Sequence, residues 1–423
     1  MNQSKHDRIK MRRIKQNFCN DKIVNIPQYL HQSFYKSDLP ERIQSGDRIG
    51  ITVGSRGISN MSVIVKQLLE DIKSLGAKPF ILAAMGSHGG ATSQGQRDIL
   101  ASYDITEETL GVRILSSMET VRIGTVKDQI PVYFSKDALE LDGIIALNRV
   151  KLHTDFKSNL MESGLSKILV IGLGKRDGAE SIHSLGVFGL KNVIPVAVKV
   201  ILEKAPILEG VGILENGYDQ TMDIKLVPPA AIVDTDRELL KISKTVFPGL
   251  PCKDIDVAIA LEMGKNISGT GLDTNVIGKL DINSEKEPDY PRINKLVVFD
   301  LTEASHGNAL GIGLADITTK KLVDKINFQD TYANTITSTF LNRAKIPITM
   351  NSEKEAVEIA LKTCWKTDPN YLKILIMKNT LDLEYLYVSQ AIWDDIKNDS
   401  QIEASGDWEN IIFSQEGNLE LRL

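Results

Sequence analysis

Between Asn148 and His183 the chain reads NRVKLHTDFKSNLMESGLSKILVIGLGKRDGAESIH, which holds two of its six histidines, His153 and His183, with Lys167 between them at the mouth of an apolar run. Imidazoles exchange protons near neutral pH and ligate metals through a neutral ring nitrogen. A lysine beside an apolar wall can lose its proton and attack a carbonyl-like carbon. The plainer alternatives are loop histidines satisfied by neighbouring carbonyls and a lysine that lays its stem on apolar surface with its head in water. His88 stands in GSHGGAT, where flanking glycines permit a sharp bend and close approach of a ligand. Arg56, in GSRG, offers a planar fork to a carboxylate or phosphate. Three histidines from separate strand ends could also share a zinc ion that activates water.

Gly172, Gly174 and Gly178 spell G-x-G-x-x-x-G after the apolar run, close to a dinucleotide fingerprint. No strand ending in Asp or Glu follows about 20 residues later to hold a ribose, as that fingerprint requires. The glycines suit a phosphate cradled by backbone N–H groups. Further along, Lys265 and Lys279 border the glycine-rich GKNISGTGLDTNVIGK and could close on an anion, or simply be solvated.

A chain of 423 residues exceeds one ordinary core, so two domains are expected. A net charge of -5 leaves no basic face for nucleic acid, and the locally basic start, MNQSKHDRIKMRRIK, reads as a solvated arm. That start has no apolar segment of a secretory signal, and no uninterrupted apolar run reaches the roughly 18 residues of a membrane span, so a cytoplasmic location is expected. The three cysteines, Cys19, Cys252 and Cys364, are scattered and fit neither a disulfide framework nor a thiolate zinc site.

The elements that must position these side chains alternate. GDRIGITV reads as a strand delivering Arg56, NMSVIVKQLLEDIKSLGA as a helix ending at Gly76, and KPFILAAM as a strand delivering His88. Ser93 and Gln96 have capping-box spacing for the next helix. VRIL, QIPVYFS and DGIIALNRV follow as strands, the last a buried central one that ends before His153. SKILVIGLG reads as another buried strand, with a glycine-rich exit carrying His183. Helices over 191–204 and 235–245 and strands over 211–214 and 223–227 complete the expected first domain. PGLPCKD is the expected linker. The reading is an α/β protein: residues 1–250 with a largely parallel sheet and flanking helices, residues 251–423 as a smaller α/β domain whose end could pack back on the first, and the active site in the cleft between them.

GSRG, GSHGGAT and HTDFKSNLMESGLSKILVIGLGKRDGAESIH together resemble the lactate racemase (LarA) family, clearest over roughly residues 50–185. The resemblance implies a nickel-pincer nucleotide (nickel pyridinium-3,5-bisthiocarboxylic acid mononucleotide) held covalently by Lys167, with His183, sixteen positions on, completing the nickel coordination. It implies His88 and His153 as the catalytic acid/base pair and Arg56 as the carboxylate or phosphate clamp. Lys265 and Lys279 are the second-domain candidates for substrate, and Gly172 and Gly174 for the cofactor. The implied reaction takes hydride from C2 of a 2-hydroxy acid to the cofactor, giving a planar 2-keto acid to whose other face it returns. Cofactor-synthesis enzymes are implied partners; nucleic acid and membrane are not. The chain departs from the pattern of lactate-active members at Val53, where they carry an aspartate. No glutamine–lysine pair aligns around Gly278. A sugar acid is thus as compatible as lactate. An NAD(P)-dependent oxidoreductase and a non-catalytic nickel or nucleotide carrier are the alternatives.

Overall fold

The computed structural model describes residues 9–423 except Arg56, Asp128, Ser284 and Arg422, so the reading of Arg56 lies outside the described residues. Two compact units emerge, one spanning Cys19–Phe247 and the other joining the chain's start, up to Phe18, to Pro248–Leu423. Both are α/β. Among the described residues no single helix is long and apolar enough to cross a membrane.

From Ile9 onward the basic start is not a solvated arm. It forms β1 (Lys10–Gln16): Ile9 and Met11 are buried at strand spacing, and a register shift against the Ile402–Asn410 strand between Arg12 and Ile14 brings Ile14 inward as well. The Arg12 guanidinium lies over the rings of Trp393 and Trp408, so these cations stack on aromatic faces.

In the Cys19–Phe247 unit the strands are β2 (Arg48–Val53), β3 (Lys78–Ala83), β4 (Ile114–Leu115), β5 (Thr120–Val126), β6 (Ile130–Ser135), β7 (Gly143–Arg149), β8 (Ile207–Glu215) and β9 (Thr221–Val227). Six form one sheet in the order β4-β3-β2-β7-β8-β9, parallel except for the last pair. Ile144, Ile145, Ala146 and Leu147 of β7 have no exposed surface, as befits a central parallel strand covered on both faces. The Met61–Ser74 helix buries Ile64, Val65, Leu68, Leu69 and Ile72, a stripe at helical spacing, in the core that includes β2 and β3. Successive strands β2, β3 and β4 step to one side while β7 pairs on the other. The carboxyl ends of β2 and β7 therefore flank a topological switch point, where loops part and leave a crevice. β5 and β6 make a separate antiparallel hairpin.

The other unit contains β1 with β10 (Asp254–Ala260), β11 (Arg292–Val298), β12 (Ile317–Thr319), β13 (Ile348–Met350), β14 (Ile374–Met377), β15 (Tyr385–Ser389) and β16 (Ile402–Asn410). Their order is β13-β12-β11-β10-β14-β15-β1-β16, parallel through β14 and antiparallel beyond it. The end of the chain thus pairs with its beginning.

SKILVIGLG, expected as a strand, is helical. Leu165–Lys167 open a helix, Ile168–Gly172 continue it as a π turn, and Lys175–His183 form the next helix. Ile168 through Leu173 are all buried, so the run shows no amphipathic period, and a run buried on every side reads alike as strand or helix. Capping also differs at the Ser93–Ala101 helix. Thr92, one residue earlier than expected, accepts the Gly95 amide, and Gln96 turns inward instead.

Candidate active site

His153 sits in a loop closed by reciprocal backbone hydrogen bonds between Lys151 and Ser163. Inside it, the fully buried Glu162 accepts the amides of His153 (2.8 Å) and Ser158 (3.1 Å) and pairs with Lys244 at 3.0 Å. The Lys157 ammonium donates to the His153 carbonyl at 2.8 Å. Phe156 lies against the imidazole, ring centroids 4.7 Å apart. These contacts leave the ring little freedom.

Lys167 reaches the same ring, its Nζ 2.5 Å from His153 Nε2. Asp236 sets the start of its helix: this buried carboxylate accepts the Leu165 amide at 2.8 Å and the Ser166 amide at 2.7 Å. Anions suit a helix N-terminus because its first amides have no partner within the helix. Gly164 is required there, since a methyl group would collide with Asp236. Asn148, at the end of β7, donates to the Gly164 carbonyl at 2.7 Å and fastens strand to helix.

His183, the last residue of its helix, feels the Lys167 charge and that of Asp155. Burial, followed by Lys167, pushes its imidazole down to about 4. Burial, then Lys167, holds His153 well below the ordinary histidine range, with Asp155 opposing and His183 and Lys157 reinforcing the shift. Both rings are therefore neutral at neutral pH. The β5–β6 hairpin braces the His183 helix, Ser181 donating to the Pro131 carbonyl at 3.1 Å and Thr120 hydrogen-bonding Asp177.

His88 lies exposed just beyond β3, its Nδ1 hydrogen-bonded to Ser55, which follows β2. Its loop docks on the π turn through the Gly86 amide, 3.1 Å from the Gly172 carbonyl. Gln96 donates to the carbonyls of Gly86 (3.0 Å) and His88 (3.4 Å). It accepts in turn from Lys175 at 3.2 Å. Lys175 is 1% exposed and also donates to the Ala83 carbonyl at 2.6 Å; burial pushes its ammonium down to about 8. Its backbone takes the left-handed φ of 52°, turning the chain between the π turn and the His183 helix.

Gly172 packs so closely that a methyl would stand 2.7 Å from the Ala84 carbonyl oxygen, and one on Gly174 would collide with the Val170 carbonyl. Both glycines lie in or beside helix rather than in a strand-to-helix turn, so the context of a dinucleotide fingerprint is missing. Lys265 and Lys279 belong to the other unit. There Lys265 donates to the Gly269 carbonyl and to Asn334 at 2.8 Å, and Lys279 to the Leu314 carbonyl at 2.9 Å. Among the described residues no three His, Cys, Asp or Glu side chains are grouped to hold a metal, so the donors for a protein-only three-histidine zinc site do not come together.

Several of these residues escaped the sequence reading. Asp236 had a signal: it interrupts the buried stripe Ile232, Thr235, Leu239, Leu240 of its helix, and a carboxylate on an apolar face needs a partner. Glu162 and Lys175 had none, because their burial depends on contacts distant in sequence or on the helical path of SKILVIGLG.

Residues 4–192 match the model of the lactate racemase N-terminal domain. A glycerol-3-phosphate dehydrogenase (NAD(P)+) of Ligilactobacillus salivarius is 22% identical over 222 residues, 44% of this chain and 64% of that protein, so the match spans less than two thirds of that relative's length. The solved lactate racemase apoprotein of Thermoanaerobacterium thermosaccharolyticum shares the fold, with a TM-score of 0.55 at 13% identity, covering 88% of this chain and 99% of that one. The matched segment, which contains His88, His153, Lys167 and His183, is similar to the lactate racemase N-terminal domain.

Proposed function

We propose that this protein is a racemase or epimerase of a 2-hydroxy carboxylic acid, working with a nickel-pincer nucleotide attached to Lys167 and with His183 as the nickel ligand. The observation that carries the reading is the grouping of Lys167, His153 and His183 around one half-buried spot within the segment matched by the family model. The donor set fits such a group: one amine is available for attachment, and one imidazole is kept neutral, the form that gives a lone pair to a metal. When bound, the nucleotide would supply a hydride acceptor, which spares the substrate a carbanion beside its own carboxylate.

The chain's own part is proton handling and orientation. His88 would take or return the substrate hydroxyl proton at Nε2, because Ser55 engages Nδ1. His153 would act as the second proton-handling group at Nε2, since its Nδ1 is engaged by the Asp155 backbone N–H at 3.0 Å. A histidine on each side of a planar keto acid serves both stereochemical directions. Arg56 would clamp the carboxylate; Lys265 and Lys279 hold carbonyl groups of their own unit. Val53 in place of an acid supports a substrate other than lactate, such as a sugar acid.

The test is expression with the cofactor-synthesis enzymes, followed by nickel analysis and polarimetry on a panel of 2-hydroxy acids. One equivalent of nickel with loss of optical activity on at least one acid is expected, and both should disappear in His183→Ala. Full nickel and full activity in that variant would overturn the ligand role; nickel without turnover on any acid would favour a carrier.

A further inference from the structure

The hydrogen bonds around His153 specify protonation states as well as positions. The Asp155 backbone N–H points at His153 Nδ1 from 3.0 Å, and a backbone amide can only donate. Nδ1 must present a lone pair, so the neutral ring carries its proton on Nε2. An imidazolium would set two N–H groups against each other at Nδ1. The Nε2–H in turn faces Lys167 Nζ at 2.5 Å. An ammonium has three donors and no acceptor, and would oppose that N–H; a neutral amine has a lone pair to receive it.

We infer that Lys167, before any group is attached, is held as the free-base amine by the Nε2–H tautomer of His153, ready to accept an activated acyl group at neutral pH. The groups whose charges bear on the His153 ring are Lys167, Asp155, His183 and Lys157, and burial there disfavours a charged form. The Asp155 N–H is the closer contact to Nδ1, at 3.0 Å against 3.7 Å for the Asp155 carboxylate.

The inference deepens the attachment role proposed for Lys167 and takes that site from it, but it concerns the protein before loading. Either reading can therefore fail while the other stands. The experiment uses the full chain made without cofactor-synthesis enzymes and the probe N-hydroxysuccinimidyl acetate. The amine attacks the acyl carbon, the N–C bond forms, the C–O bond breaks, N-hydroxysuccinimide leaves as the anion, and the amine proton passes to water. Site-resolved labelling rates come from peptide mass mapping between pH 6 and 10.

An ordinary lysine, with a pKa of about 10.4, is neutral in roughly one molecule in 2,500 at pH 7, so its rate should rise several hundredfold by pH 10. The rate at Lys167, compared with itself so that access cancels, should rise less than about threefold, and His153→Ala should restore a steep profile. A wild-type Lys167 profile parallel to surface lysines would overturn the inference. Should Lys167 take no label, 15N spectra of the histidine rings decide: an unprotonated Nδ1 on His153 supports it, and a protonated Nδ1 overturns it.

Discussion

Replacing Asp236 with alanine tests whether Lys167 is aimed from outside its own helix. The buried carboxylate accepts the Leu165 and Ser166 amides, and alanine would leave both without an acceptor. Each unmet buried amide costs about 1–3 kcal/mol. Some of that is returned, because burial holds the Asp236 carboxyl above its usual range and its removal relieves an unfavourable desolvation. The expected loss is about 2–4 kcal/mol, which lowers the melting temperature of a unit of this size by roughly 5–15 °C. Asp236→Asn keeps one acceptor oxygen and should lose about half as much. Gly164→Ala pushes a methyl into the same carboxylate and should also destabilise, but less when combined with Asp236→Ala, since the two share one contact. Calorimetry on the four proteins measures the cycle. A melting temperature for Asp236→Ala within about 1 °C of wild type, or strict additivity with Gly164→Ala, would show that Asp236 does not hold the start of the Lys167 helix.

Lys175 makes stability depend on pH with a defined sign. Its folded value of about 8 lies below the ordinary 10.5, so between those values the unfolded chain holds a proton that the folded protein has released, and stability rises with pH by up to about 3 kcal/mol. Lys175→Met should lack that rise when unfolding is measured at pH 7 and 10, and equal pH dependences would contradict the assignment. Deleting residues 1–16 removes β1 from between β15 and β16 and, with Ile9, Met11 and Ile14, roughly 5–9 kcal/mol of apolar burial. The Pro248–Leu423 unit should then aggregate or melt early, whereas a solvated arm would be dispensable. Glu162→Ala frees the amides that fix the His153 loop and should lower kcat of the loaded enzyme by about 10–100-fold while changing KM little; an unchanged kcat would remove Glu162 from the positioning of His153.

The parts of the fold legible in the sequence are those where local pattern and environment agree. DGIIALNRV is apolar because β7 is covered on both faces, and NMSVIVKQLLEDIKSLGA carries a one-sided stripe because only one side of its helix meets the core. SKILVIGLG misled because complete burial erases the period that separates helix from strand, while the closeness of Gly172 to Ala84, which explains the glycine, depends on a strand almost ninety positions earlier. The basic start misled because its charges stack on aromatic rings, Arg12 and Arg13 among them, and an irregularity between Arg12 and Ile14 breaks the period by which Met11 and Ile14 would have announced a strand. At the candidate site the residues able to do chemistry, His88, His153, Lys167 and His183, stood out by type and spacing. Those that hold them, Asp236, Glu162, Gln96 and Lys175, did not, because a carboxylate, amide or ammonium becomes a positioning group only when the fold buries it beside the right amide or carbonyl.

The most direct measurement for the central claim is a mass map of the protein after co-expression with the cofactor-synthesis enzymes, read together with its nickel content. An adduct of nucleotide size confined to the peptide containing Lys167 is expected, with one nickel per adduct, and neither in Lys167→Arg. Racemisation of a 2-hydroxy acid by protein whose Lys167 peptide carries no added mass would contradict that claim.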